Sequence, residues 1–117
     1  MAFRRVVLQP MMTTANNVTQ EVRFAVQTTG WKTGYFWANL PVHGGTAVTF
    51  DIRGASGQNV SEATAFWPSL GTFVTTAGTP GAYKSNALTP LPDFVRFITT
   101  GVSASITFEL IAYLWDV

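Results

Sequence analysis

The chain has 117 residues, with seven Lys or Arg, six Asp or Glu, a formal net charge of +1 and 47% hydrophobic residues. That length is enough for one domain to bury a core unaided. Charged residues make up only 11%, against roughly 25% in ordinary soluble domains. Little long-range field results, so neither nucleic acid nor an acidic membrane is an expected partner. Cysteine is absent, which removes disulfide and thiolate chemistry. No apolar run approaches a transmembrane span or a signal peptide, so synthesis in a cytoplasm is expected.

Period-two alternation recurs along the chain and helical periodicity does not. Phe3 to Gln9 is the first strand candidate, stopped by Pro10, and residues 1–12 read as an extended N-terminal arm. Val18, Gln20, Val22, Phe24 and Val26 then alternate with Thr19, Glu21, Arg23, Ala25 and Gln27, up to Thr29-Gly30. Gly34 to Leu40 is dense in rings (Tyr35, Phe36, Trp37) and is punctuated by Pro41 and a turn at His43-Gly44-Gly45. Thr46 to Arg53 turns Val48, Phe50 and Ile52 inward against Thr49, Asp51 and Arg53. Gly54 to Asn59 is a loop by composition, and residues 60–67 follow neither period. Short pieces follow at Phe73–Thr75 and Ala82–Lys84. Phe94 to Thr99 is expected to form a hairpin with the last strand through a turn near Thr100-Gly101-Val102.

Short strands at roughly ten-residue spacing mark a sandwich or barrel. The expected fold is all-β: one antiparallel β-sandwich over residues 1–117, jelly-roll-like, with about eight strands. Glu21, Arg23, Asp51, Arg53, Arg96 and Glu109 fall on the outward faces. They read as cross-strand register pairs on a solvated surface, each contributing about 0.2–1 kcal/mol.

Chemistry has little to work with. His43 is the single histidine, and it sits in an apparent turn. A nucleophile triad needs a base oriented by an acid, and a structural zinc site needs several ligands. Asp51, Glu62 and Asp93 are isolated in sequence. No catalytic residue, metal ligand or cofactor is expected, and an enzyme is not. Asn17 and Asn59 each begin a glycosylation tripeptide, read as chance without a secretory signal.

The informative feature is a surplus of rings. Four Trp, three Tyr and nine Phe are many for 117 residues. In Ser103–Trp115 one face is Ala104, Ile106, Phe108, Leu110, Ala112 and Leu114. The other starts polar and ends as Ile111, Tyr113 and Trp115. A strand in a two-layer fold has one inner face, so the second apolar set must leave the core. Rings buried against a partner are what interface cores are enriched in. The expected subunit interface is therefore Ile111, Tyr113 and Trp115, joined by Tyr35, Trp37, Phe3 and Arg4. Trp31 and Trp37 as a platform for sugar faces, in a lectin-like or tail-type receptor-binding module, form the second reading.

Leu91-Pro92-Asp93-Phe94-Val95-Arg96-Phe97, then Thr100-Gly101, then Ala104-Ser105-Ile106-Thr107-Phe108 resembles the closing hairpin of small virion proteins of tailed bacteriophages. The resemblance covers about a quarter of the chain and carries no catalytic residues. It implies a β-sandwich that decorates or cements a capsid lattice, made in the host cytoplasm and located in the virion. Its implied partners are copies of itself, often as a trimer, and a major capsid protein or another virion component.

Overall fold

The computed structural model describes residues 2–57 and 61–117. The tripeptide at Asn59 and the end of the expected Gly54–Asn59 loop lie outside them. Eight strands follow in order: β1 (Phe3–Thr14), β2 (Val26–Gln27), β3 (Thr33–His43), β4 (Thr49–Ala55), β5 (Ser69–Val74), β6 (Gly81–Lys84), β7 (Phe94–Thr100) and β8 (Ile106–Trp115). They form two four-stranded antiparallel sheets. The first has the order β1-β8-β3-β6 and the second β2-β7-β4-β5.

The pairings β1·β8, β2·β7, β3·β6 and β4·β5 are nested like the two arms of one long hairpin rolled up. That is the jelly-roll wiring, so the expected all-β antiparallel sandwich is the fold. Alternation places the core. Phe36, Ala38 and Leu40 of β3, with Phe108, Leu110 and Leu114 of β8, face inward from the first sheet and are essentially inaccessible. Phe50 and Ile52 of β4 and Val95 and Phe97 of β7 meet them from the second. Phe50 lies 5.2 Å from Phe73 and 5.4 Å from Phe108, centroid to centroid, and Phe97 lies 5.8 Å from Phe108.

The expected β7–β8 hairpin is not formed. β7 pairs with β2 and β4, whereas β8 pairs with β1 and β3 in the other sheet. Both strands have a buried inner face, a pattern that suits facing across a core as well as lying side by side. The edge-to-face contact of Phe97 and Phe108 shows the facing arrangement. The turn at Gly101 (φ +83°) carries the chain from one sheet to the other, and a Cβ there would meet the Ala47 carbonyl oxygen at 2.7 Å.

Other boundaries move for local reasons. The expected N-terminal arm is the edge strand β1, and it continues through Pro10. Its register against β8 shifts between Val7 and Gln9 and again between Gln9 and Met12. Proline is tolerated at such an irregular edge because no ladder donor is required of it. The single strand expected over Val18–Gln27 is broken. Thr19 bridges Ile98 and Val26 pairs with Val95, so seven steps of chain oppose three along β7. The excess is taken up by a 3₁₀ turn at Val22–Phe24, which moves Phe24 out of the expected core to 57% exposure. Gly54 and Ala55 belong to β4, and His43 ends β3 as a buried residue instead of sitting in a turn.

Two expected surface charges are interior. Arg96 is fully buried beneath Trp67, itself fully buried, with the guanidinium carbon 4.7 Å from the ring centroid. Its Nη1 donates to the Gln20 carbonyl (3.0 Å) and to Glu62 Oε2 (3.2 Å), and Nη2 donates to the Glu62 carbonyl (3.0 Å). Burial pulls the Arg96 pKa below its ordinary value, and the Glu62 carboxylate acts to raise it. Asp51 is nearly buried and receives Arg53 Nε at 2.7 Å. Arg53 also donates to the Trp67 carbonyl at 3.2 Å, and Gly54 N–H to the Pro68 carbonyl at 3.1 Å. The segment around residues 61–68 thereby lies on the outer face of the second sheet.

Phe50→Ala should destabilise the protein by about 3–5 kcal/mol in urea unfolding, as expected for a large core ring. Phe24→Ala should shift it by no more than about 0.5–1 kcal/mol.

Candidate functional aromatic face

Among the described residues, the outer face of the first sheet has no covering segment like that on the second. Cross-strand register builds it in rows. Thr33, Trp115 and Phe3 form one row, Tyr35, Tyr113 and Arg5 the next, and Trp37, Ile111 and Val7 the third. Residues directly opposite in antiparallel strands lie within side-chain contact, so three short stretches converge on one surface. Tyr35 stands edge-on to Trp115 at 5.4 Å, Phe3 tilts against Trp115 at 5.2 Å, and Phe3 stacks over Tyr113 at 6.1 Å.

Packing among these side chains is incomplete. Ile111 is only 3% exposed, between Trp37 and Val7, but Phe3 is 55%, Val7 42% and Tyr35 37% exposed. Tyr35, Trp37, Tyr113, Trp115 and Lys84 of β6 line a shallow hollow of about 280 Å³. Lys84 lies opposite Trp37 in register, with its Nζ 6.0 Å from the indole centroid. At that distance the ammonium is at the outer limit of a cation–π contact. Trp37 Nε1 donates to Asn39 Oδ1 at 3.0 Å, and Asn39 Nδ2 donates to Glu109 Oε1 at 3.0 Å. This chain fixes the indole and forms a polar margin to the apolar patch. It also places the expected surface residue Glu109 on the outer face, away from Arg96 in the other sheet.

Five of the seven residues expected at an interface, Tyr113, Trp115, Tyr35, Trp37 and Phe3, therefore share one accessible surface, while Ile111 lies on the same side of β8 but is already buried between Trp37 and Val7. Arg4 does not join them. It lies opposite Leu114, whose side chain points to the core, so the strand's alternation turns Arg4 away and Arg5 takes its place on the face. Arg5, Val7 and Lys84 were not anticipated. Alternation starting at Phe3 contains the first two, but only once β1 is known to pair with β8. Lys84 requires the β3–β6 pairing, which four residues of β6 do not announce. Trp31, named with Trp37 as a possible sugar platform, instead packs partly buried against the core cluster.

His43 serves the fold. Its Nε2 is 2.6 Å from Thr75 Oγ1, which also accepts the Val48 N–H, and its Nδ1 is 3.1 Å from the Gly44 carbonyl. With Val48 donating to Thr75, the satisfied arrangement has the Thr75 hydroxyl donating to Nε2 and Nδ1–H donating to Gly44. Among the described residues, no three His, Asp or Glu side chains group as metal ligands would. What the aromatic face offers chemically is contact: apolar area, ring edges and faces, and one ammonium at its margin.

No family model matches the chain, and no curated protein matches its sequence. The face therefore has to be read from its own geometry.

Trp67 is the one fully buried indole, while Trp31, Trp37 and Trp115 are partly exposed. Emission resistant to acrylamide should thus vanish in Trp67→Phe and persist in Trp115→Phe.

Proposed function

We propose that this chain is a structural subunit that works by non-covalent assembly through the outer face of its first sheet. Its specific form is a capsid decoration or cement protein of a tailed bacteriophage. The observation that carries the reading is the contiguous set Phe3, Val7, Tyr35, Trp37, Tyr113 and Trp115 on a sheet face that the described loops leave uncovered. A monomer with rings clustered in this way carries an association liability. The same rings at the centre of an interface are the side chains most able to anchor it.

Few ionic contacts are available on the face, so association would rest on apolar burial. Copies of the chain, in a closed ring such as a trimer, and a lattice protein beneath them are the partners this reading names. Jelly rolls recur in capsid and lectin domains, a fold-level analogy that fits the reading without selecting it.

Sedimentation of the purified chain should give a concentration-dependent oligomer whose stability changes little with salt. Trp115→Ala should weaken it at least tenfold, about 1.4 kcal/mol, with the monomer still folded. A monodisperse monomer at high concentration that also fails to bind capsid lattices would sink the reading.

The hollow beside Lys84 favours one second reading, a saccharide site in which the apolar face of a sugar lies on Trp37 and Trp115. It expects saturable glycan-array binding that is lost in Trp37→Ala, and no such binding if the face serves assembly alone.

A further inference from the structure

We propose that the cleft between edge strand β1 and the 3₁₀ turn at Val22–Phe24 receives an extended segment of a partner polypeptide. That segment would carry an apolar side chain flanked by carboxylates. The site shares Val7 and Arg5 with the margin of the aromatic face but does not depend on assembly through its rings.

The first observation is a buried acceptor without a donor. Gln20 is 4% exposed, and its Nε2 donates to the Leu8 carbonyl at 2.7 Å. Among the described residues its Oε1 has no hydrogen-bond partner. Buried amide oxygens are seldom left in that state, because desolvation is then uncompensated. Gln20 lines a cleft of about 400 Å³ with Val7, Leu8, Gln9, Pro10 and Phe24. On this proposal an incoming main-chain N–H supplies the donor that this acceptor lacks, once a small rotation of the Gln20 amide brings Oε1 to the cleft that the residue lines.

The second observation is the edge itself. β1 pairs with β8 alone, so its other side is an open sheet margin. Such margins accept an added strand through main-chain hydrogen bonds, with pockets selecting alternate side chains. Pro10 has no N–H to offer, which directs an added strand to residues 3–9. There the cleft supplies the pocket, walled by Val7, Leu8 and the largely exposed Phe24 ring.

The third observation is charge. Arg4 and Arg5 are exposed on the same stretch, and among the described residues neither forms an ion pair. Arg23, beside the cleft, is already paired with Glu21 at 2.7 Å. Two uncompensated guanidinium groups along an open strand edge select an acidic partner over a basic one.

The test uses the full chain, ¹⁵N-labelled, with three synthetic pentapeptides. They are acetyl-Glu-Val-Glu-Val-Glu-amide, its lysine counterpart, and a backbone N-methylated acidic version. The acidic peptide should shift resonances of Val7, Leu8, Gln9, Phe24 and the Gln20 side-chain amide saturably. It should bind at least tenfold tighter than either control. Phe24→Ser and Arg4→Glu, both at exposed positions that leave the fold intact, should each weaken it at least fivefold, and Gln20→Met should do the same. Equal binding of the three peptides, no saturable shift, unchanged binding in Phe24→Ser, or shifts confined to Tyr35, Trp37 and Tyr113 would each overturn the proposal. The last outcome would leave the aromatic face as the binding surface, so the two readings fail separately.

Discussion

Two stacked sheets share one interior, and in this chain Phe50, Phe73, Phe97 and Phe108 fill it ring against ring. Each strand contributes one side to that space, and every other side chain must find a different environment. The second sheet solves this within the chain. Trp67 and the segment that carries it lie over Arg96, while Arg53 and Gly54 bond to the segment's carbonyls. The first sheet has no such cover among the described residues, yet its outer rows are as aromatic as a core. The asymmetry between the two outer faces, one roofed by the chain and one open, is the structural basis for reading the molecule as a component of something larger.

Charge is distributed in keeping with that division. Asp51 with Arg53, and Glu62 with Arg96, are used in fixing the roofed side, where the opposed Arg53 and Arg96 each need their own compensation. A buried guanidinium of this kind contributes little net stability as a pair. Its removal is costly, because the carbonyls and carboxylate around it lose their donors. Arg4, Arg5 and Lys84 are left along the open sheet, outside any ion pair among the described residues. Arg5 and Lys84 stand on the two edge strands that flank the face and Arg4 points away from it, so its centre on β3 and β8 carries no charge that would have to be desolvated.

How much of this could be read beforehand follows from what alternation encodes. A period of two tells which residues share a face, and it identified the inner sets of β4 and β8, including Phe50 and Phe108. It also required Tyr113 and Trp115 to leave the core. Alternation does not tell which strands are neighbours. β7 and β8 looked like a hairpin because both alternate and a glycine separates them, and two strands facing each other across a core have that same signature. The 3₁₀ turn that expels Phe24 was equally hidden, since Val22 and Phe24 keep the strand rhythm while the backbone does not. Arg96 misled for a related reason. Its outward position was correct, but the segment that covers it comes from residues 61–68, where neither period holds. The convergence of Phe3, Tyr35 and Trp115 was legible only as an expectation about composition, because β1, β3 and β8 are far apart in the chain.

The nested wiring also fixes an order of events during synthesis. Only β4 and β5 are neighbours both in sequence and in a sheet, and every other pair closes a longer loop around them, out to β1 with β8. Distant closures are slow because chain entropy must be lost before contacts form. β8 is also the inner strand that joins β1 to β3, and it leaves the ribosome after the other seven. Until it arrives, β1 has no neighbour and Phe50 and Phe97 lack the ring that closes over them. The nascent chain must therefore keep part of its interior wet until β8 has been made, which makes Ile106–Trp115 the latch of the whole roll.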